Sequence, residues 1–350
     1  VAIRDMVMKS VKTAGPSFTE LPVESVTPAD TVLKDAYGNR KDKTMLLIAM
    51  LKAAGFKPEP VLVTASGPLT NAMAETIIQI PHYAMAFTRL LVRVRVDNEW
   101  IYLGDTGEYA QLGVSHYNNC TAVLLNNTES EPFRIHTPED KKSAVHVKYD
   151  ITIEENGNAE ISYTRKCYGT AYSSLHRQWK ELTPEKKKRH FQGLISRISQ
   201  AAVPINDWNV TTQYPAVETF TISVPRFAVQ DGKFLYFELP ETPGKLFSTD
   251  EAHRGWPYFH KNRIRKTIAT TVTIPEKRTT TVLIPQEFLW TQPGGKGHIQ
   301  AEVKQNGNRL TVTHQVDIKP FLVFPADYEY LRNINQRLSH KKSRSIVLSK

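Results

Sequence analysis

Two tripeptides, Asn156-Gly157-Asn158 and Asn306-Gly307-Asn308, do most to limit what this chain can fold into. Asn-Gly takes up the positive backbone φ angles of a tight hairpin at little cost, and between alternating segments it is the strongest local signal for antiparallel pairing. The flanking segments, 145–154 with 159–167 and 299–305 with 309–318, are rich in Val, Ile and Thr and read as strands. Further strands are predicted at 219–224, 266–275 and 281–285. Residues 131–325 are therefore expected to form a mostly antiparallel β-sandwich domain. One helix is predicted inside it, over about 184–202, with Thr183 as N-cap and Pro184 at the first helical position. Residues 326–350 are expected to form a terminal helix, near 326–338, and a basic tail.

The first 130 residues have a different period. Ile3, Met6, Val7 and Val11 recur at helical spacing, so 1–13 is predicted as an amphipathic helix ended by Gly15-Pro16. Leu46, Leu47, Met50, Leu51 and Ala54 form the apolar stripe of a second helix over 41–54, with Gly55 at its C-terminal cap. Pro60–Thr64 reads as a short buried strand. Residues 66–82 are expected to be a connection carrying a short helical piece. Leu90–Val96 alternates apolar and basic side chains, Asp97-Asn98 turns, and Trp100–Leu103 pairs back as a hairpin. Helices followed by antiparallel strands make an α+β unit.

Composition narrows the functional classes. The 350 residues carry 45 Lys and Arg against 35 Asp and Glu, a net charge of +10. The basic clusters at 185–189 and after Arg332 lack interleaved aromatic residues or a nucleic-acid motif. They are read as solvated faces, and no nucleic-acid partner is expected. No apolar run reaches the length of a membrane span. Cys120 and Cys167 are too few for a disulfide framework and are expected as buried thiols. Neither metal-ligand spacing nor a cofactor motif is present, so no metal and no cofactor are expected. The chain opens on Val1 with no secretion signal and is expected to be a piece of a longer one.

The stretch Tyr37-Gly38-Asn39-Arg40-Lys41-Asp42-Lys43 ahead of the apolar helix is the motif with chemical content. It resembles the signature Tyr-Gly-(Asn/Asp)-Cys-Lys-Asp-Lys-Ala of the transglutaminase-like superfamily of cysteine hydrolases. In that family the cysteine opens the helix, where the roughly half positive charge of the helix N-terminus stabilises a thiolate. Gly38, Asn39, Lys41, Asp42 and Lys43 match, and Arg40 stands where the nucleophile belongs. The family's histidine opens the next hairpin strand in a pattern like Phe-Asn-His-Val-Ile-Val-Arg-Val; here Phe87-Thr-Arg-Leu-Leu-Val-Arg-Val94 puts Arg89 at that place. Asp105, in Tyr102-Leu-Gly-Asp105-Thr-Gly-Glu-Tyr109, resembles the aspartate that orients the histidine. Arg254-x-x-Pro257, Pro325-x-Asp-Tyr328 and the ending Arg337–Leu348 extend the resemblance to a bacterial architecture with an N-terminal β-sandwich domain, a transglutaminase core and a C-terminal β-domain. The N-terminal domain is missing from this sequence.

The resemblance implies a degenerate papain-like core over residues 1–130, secreted or periplasmic placement, and loss of thiol chemistry, because a guanidinium stays protonated and cannot attack a carbonyl. It implies a non-catalytic binding or interaction module whose partner is a peptide, a protein or an acidic small ligand. Two arginines in the vacated space repel one another, so an anion is expected between them. Either Arg40, Arg89 and Asp105 form a structural charge cluster, or the two arginines leave room for a carboxylate or phosphate ligand. The alternative from the enzyme class is a cysteine protease or transglutaminase using another nucleophile, Cys120 or Cys167, with His82 or His116. Lys41 and Lys43 are expected on the exposed side of the first helical turn.

Overall fold

A computed structural model of the chain describes residues 1–16, 25–64, 87–126, 131–278 and 280–350. The expected connection at 66–82 lies outside the described residues. The chain is α+β and divides into two compact units, one of residues 1–143 with 168–176, the other of residues 144–167 with 177–350.

The first unit opens with α1 (Ala2–Ser10) and β1 (Lys12–Thr13), then α2 (Ala29–Asp35), β2 (Tyr37–Gly38) and α3 (Arg40–Ala53). Strands β3 (Glu59–Thr64), β4 (Phe87–Val96), β5 (Glu99–Leu103), β6 (Thr121–Leu124) and β7 (Phe133–Arg134) form an antiparallel sheet in the order β5-β4-β3-β6-β7. Alternation along β4 divides the core. Val92 and Val94 point to the side of Val7, Val32, Leu47 and Leu51 from the three helices, whereas Leu91 joins Val61, Val63, Cys120, Ala122 and Ile135. The Asp97-Asn98 turn has φ of 48° and 67°, the left-handed pair that the hairpin signal requires. The first helix ends earlier than its apolar period predicts. Lys12 and Thr13 instead pair in parallel with Tyr37 and Gly38, because the Lys12 and Ala14 amides find acceptors in the Ala36 and Gly38 carbonyls.

The second unit is built on β8 (Ala144–Ile153) and β9 (Ala159–Tyr168), whose last residue belongs to the first unit. Next come α4 (Gly169–Glu181), which belongs to the first unit through His176, then α5 (Pro184–Ile198), β10 (Val203–Pro204), β11 (Asn209–Thr211) and β12 (Ala216–Val224). Strands β13 (Val229–Asp231), β14 (Phe234–Glu238), β15 (Tyr258–His260), β16 (Ile264–Thr273), β17 (Thr280–Leu283) and β18 (Phe288–Thr291) follow. The chain ends with β19 (Gly297–Asn306), β20 (Arg309–Ile318), β21 (Phe321–Val323), α6 (Tyr328–Ser339) and β22 (Ser345–Ser349). One sheet runs β10-β12-β9-β8-β16-β20-β19-β18, with β11 also on β12, and a four-stranded sheet runs β13-β14-β22-β17. Both Asn-Gly hairpins form, β8 with β9 and β19 with β20. The large sheet is not wholly antiparallel, since β8 and β16 pair in parallel over Val145–Thr152 and Lys266–Thr273.

Two expectations for this unit are corrected. The helical segment is two helices rather than one, α4 preceding α5. Gly169 opens α4 at φ 56°, where a Cβ would sit 2.5 Å from the Ser143 amide nitrogen. The terminal helix expected near 326–338 is α6, but the basic tail after it is not a tail: β22 pairs on both sides, with β14 and β17, and Ile346 and Leu348 are fully buried. Glu218 on β12, also fully buried, is held by Arg165 Nε at 2.6 Å across the ladder and accepts from Trp208 Nε1 at 2.7 Å. A charge at that depth persists only when paired in this way.

Candidate functional site

The motif residues fix the start of α3. Asn39 caps it reciprocally: its side chain accepts from the Asp42 amide at 2.9 Å, and Asp42 Oδ2 accepts from the Asn39 amide at 3.1 Å. Asp42 Oδ1 accepts from the Thr27 amide at 3.0 Å, so this buried carboxylate ties the Thr27 segment to the start of α3. Gly38 is needed for that approach, since a Cβ there would lie 3.0 Å from Asp42 Cβ and 3.3 Å from Val32 Cγ1. Gly38, Asn39 and Asp42 are structural, and their role is to set Arg40 as the first residue of the helix.

Lys41 and Lys43 are not on an exposed face. They are 2% and 8% exposed. Lys43 Nζ donates to the Val11 carbonyl at 2.6 Å and to Thr13 Oγ1 at 3.4 Å, placing a cation at the C-terminal end of α1, where the helix dipole favours it. Burial pushes the Lys43 ammonium pKa down; Glu108 opposes the shift and the neighbouring Arg40 charge adds to it.

Arg40, Arg89 and Asp105 line one cleft of about 380 Å³, together with Lys41, Lys43, His116 and Tyr117. The direct cluster expected of them does not form among the described residues. Asp105 Oδ2 accepts from Ser115 Oγ at 2.8 Å and from the His116 amide at 2.7 Å, and Oδ1 is buried without a partner. Burial raises the Asp105 carboxyl above the usual range, against the pull of those two hydrogen bonds and of His116. Arg89 Nε donates to the Tyr117 hydroxyl at 2.9 Å, and its Nη1 donates to the Thr88 carbonyl at 3.2 Å. The Tyr117 amide in turn donates to Ser115 Oγ at 3.1 Å. The turn 115–117 thus connects the aspartate to the arginine, doing what a direct ion pair was expected to do.

Ser115 and Tyr117 are the site residues that the sequence reading missed; His116 entered it only as a neighbour of Cys120. Their one sequence signal is a run of side chains able to bond, Ser115-His116-Tyr117, shortly after Asp105, with no period to mark it. Both cysteines are buried, at 2% and 3% exposure, and neither lines the cleft. Burial raises the Cys167 thiol further, away from the reactive thiolate. Among the described residues no group of three or more His, Cys, Asp and Glu side chains is placed to hold a metal ion, and no helix is long and apolar enough to cross a membrane.

Residues 236–348 match the family model DUF3858, described as a domain of unknown function with a solved structure. Among solved structures, the chain is similar to a putative protease from Parabacteroides distasonis, at 18% identity and a TM-score of 0.46. That match covers 99% of this chain and 51% of the other, so the chain spans about half the length of that protein. No curated protein matches the chain.

Proposed function

We propose that this chain is a non-catalytic, transglutaminase-like binding module whose first unit takes an acidic ligand, a carboxylate or a phosphate, in the cleft at the start of α3. The observation that carries this reading is the charge of the cleft wall. Arg40, Lys41, Lys43 and Arg89 line it against a single carboxylate, Asp105, whose pKa burial raises. A concave site with that excess of cations concentrates anions. The papain-like reading draws support from the three positions that the resemblance assigns to nucleophile, base and orienting acid, since all three face the same cleft. The loss of thiol chemistry draws support from the burial of both cysteines outside it. The resemblance further suggests work at the bacterial envelope.

Calorimetric titration with succinate and with inorganic phosphate at low ionic strength tests the reading. The wild-type chain is expected to bind at least one of the two. Arg40→Ala and Arg89→Ala are each expected to weaken that binding about 10- to 100-fold, the range that one charge-assisted hydrogen bond of roughly 1.5–3 kcal/mol supports. Heats equal to buffer dilution for both anions would sink the proposal.

A further inference from the structure

The hydrogens that the cleft leaves unused say what kind of anion it accepts. Arg89 is held on one side by its bonds to the Tyr117 hydroxyl and the Thr88 carbonyl. Among the described residues its Nη2 hydrogens have no acceptor. The Tyr117 oxygen accepts from Arg89, so the phenol still has its own proton to place, and no described residue receives it. The guanidinium of Arg40, exposed at the first position of α3, makes no hydrogen bond or ion pair among the described residues, although the Arg40 carbonyl accepts from Thr44 Oγ1 at 2.9 Å. Its charge acts on both Tyr117 and Lys43. Lys43 is committed to the Val11 carbonyl and adds charge rather than a donor.

Three unused donor groups therefore come from three separate elements: the start of α3, strand β4 and the turn 115–117. A carboxylate presents two coplanar oxygens, which one arginine fork satisfies. Donors lining one cleft from three elements suit a tetrahedral group with three outer oxygens, and four lining cations suit a dianion better than a monoanion. Met8, Leu90 and Leu91 on the same wall offer an apolar surface to whatever the group is attached to.

We infer that the cleft recognises a phosphoryl group, with Tyr117 donating to it and holding Arg89 toward it, and that the phosphoryl group is carried on an organic alcohol. The inference rests on the anion-site reading above and narrows its ligand. Calorimetry on the full chain at fixed ionic strength, with phenyl phosphate, inorganic phosphate and benzoate, separates the two. Phenyl phosphate is expected to bind tightest, inorganic phosphate more weakly, and benzoate at least about ten-fold more weakly than phenyl phosphate, the discrimination one further hydrogen bond to a charged group supplies. Tyr117→Phe is expected to weaken phenyl phosphate by about ten-fold while moving benzoate less than about two-fold, whereas Arg89→Lys, which keeps the charge but loses the fork, is expected to weaken both anions. If benzoate equals or exceeds phenyl phosphate, the anion site stands and the phosphoryl inference falls. If inorganic phosphate equals phenyl phosphate, the ester part falls. If none of the three binds, both readings fall. Unchanged phenyl phosphate affinity in Tyr117→Phe overturns the role given to the phenol.

Discussion

Asp42 and Asp105 are both carboxylates of the motif-bearing unit, yet their surroundings give them opposite characters. The Asp42 carboxylate accepts from the Asn39 and Thr27 amides while its own amide donates to Asn39 Oδ1, closing the cap of α3; the sequence marks where that helix lies, not these bonds. Asp105 was legible only as a position. Its bonds run to Ser115 and His116, in a turn without periodicity, so the pairing could not be read before the chain was folded. The burial of Lys41 and Lys43 was illegible for a related reason: sequence spacing shows that a helix has a first turn, not what covers it. The thiols, by contrast, were legible as buried, and the consequence is testable. Under native conditions Ellman's reagent is expected to leave Cys120 and Cys167 unmodified, both reacting only after addition of denaturant. Stoichiometric labelling of either thiol within minutes in buffer would restore the case for a cysteine nucleophile.

Strands marked by a period of two or by an Asn-Gly turn were legible at the scale of elements, because those signals are local. What escaped was set by distant partners. The parallel pairing of β8 with β16 joins segments more than a hundred residues apart. Strand β22 lies in a basic ending that looks solvated until β14 and β17 close around it. Helix α4 was detectable in principle, since Tyr172, Leu175, His176 and Trp179 recur at helical spacing, but Ser, Thr and Gly at its start weaken the propensity. The best-marked element, α3, yields a graded prediction. Asn39→Ala removes one cap and is expected to cost about 1 kcal/mol. Asp42→Ala strips the acceptor from two amides at a buried position and is expected to cost more, about 2–3 kcal/mol. Urea unfolding of both variants checks the order; equal midpoints would show that the cap is not reciprocal in solution.

Among the described residues, the histidines whose proton affinity folding lowers all lie in one unit. His146, His190, His260 and His314 all belong to the second unit, and burial holds each below the usual imidazole range, His314 down to about 4. Arg265 and Lys166 deepen the shift at His146, and Arg165 and Arg197 do so at His190. A histidine whose pKa is depressed by folding takes up its proton more readily in the unfolded chain. Stability is therefore full above the unfolded value, near 6.5, and is lost as pH falls toward the folded one. Glu218 acts in the opposite sense: burial raises its carboxyl, so folding resists its ionisation and stability declines as pH rises above about 4.5. Across the window from 6.5 down to 4.5 His314 alone accounts for a loss of about 2 kcal/mol, and the other three histidines add to it. Of the five tryptophans, only Trp100 lies in the first unit, so indole fluorescence reports chiefly on the second. The urea midpoint followed by fluorescence is expected to drop between pH 7 and pH 4.5, and His314→Leu, which leaves an apolar side chain in the core, is expected to recover a measurable part of that drop. A midpoint independent of pH over this range, or a His314→Leu chain that loses as much as the wild type, would show that the buried imidazoles are protonated without opening the fold.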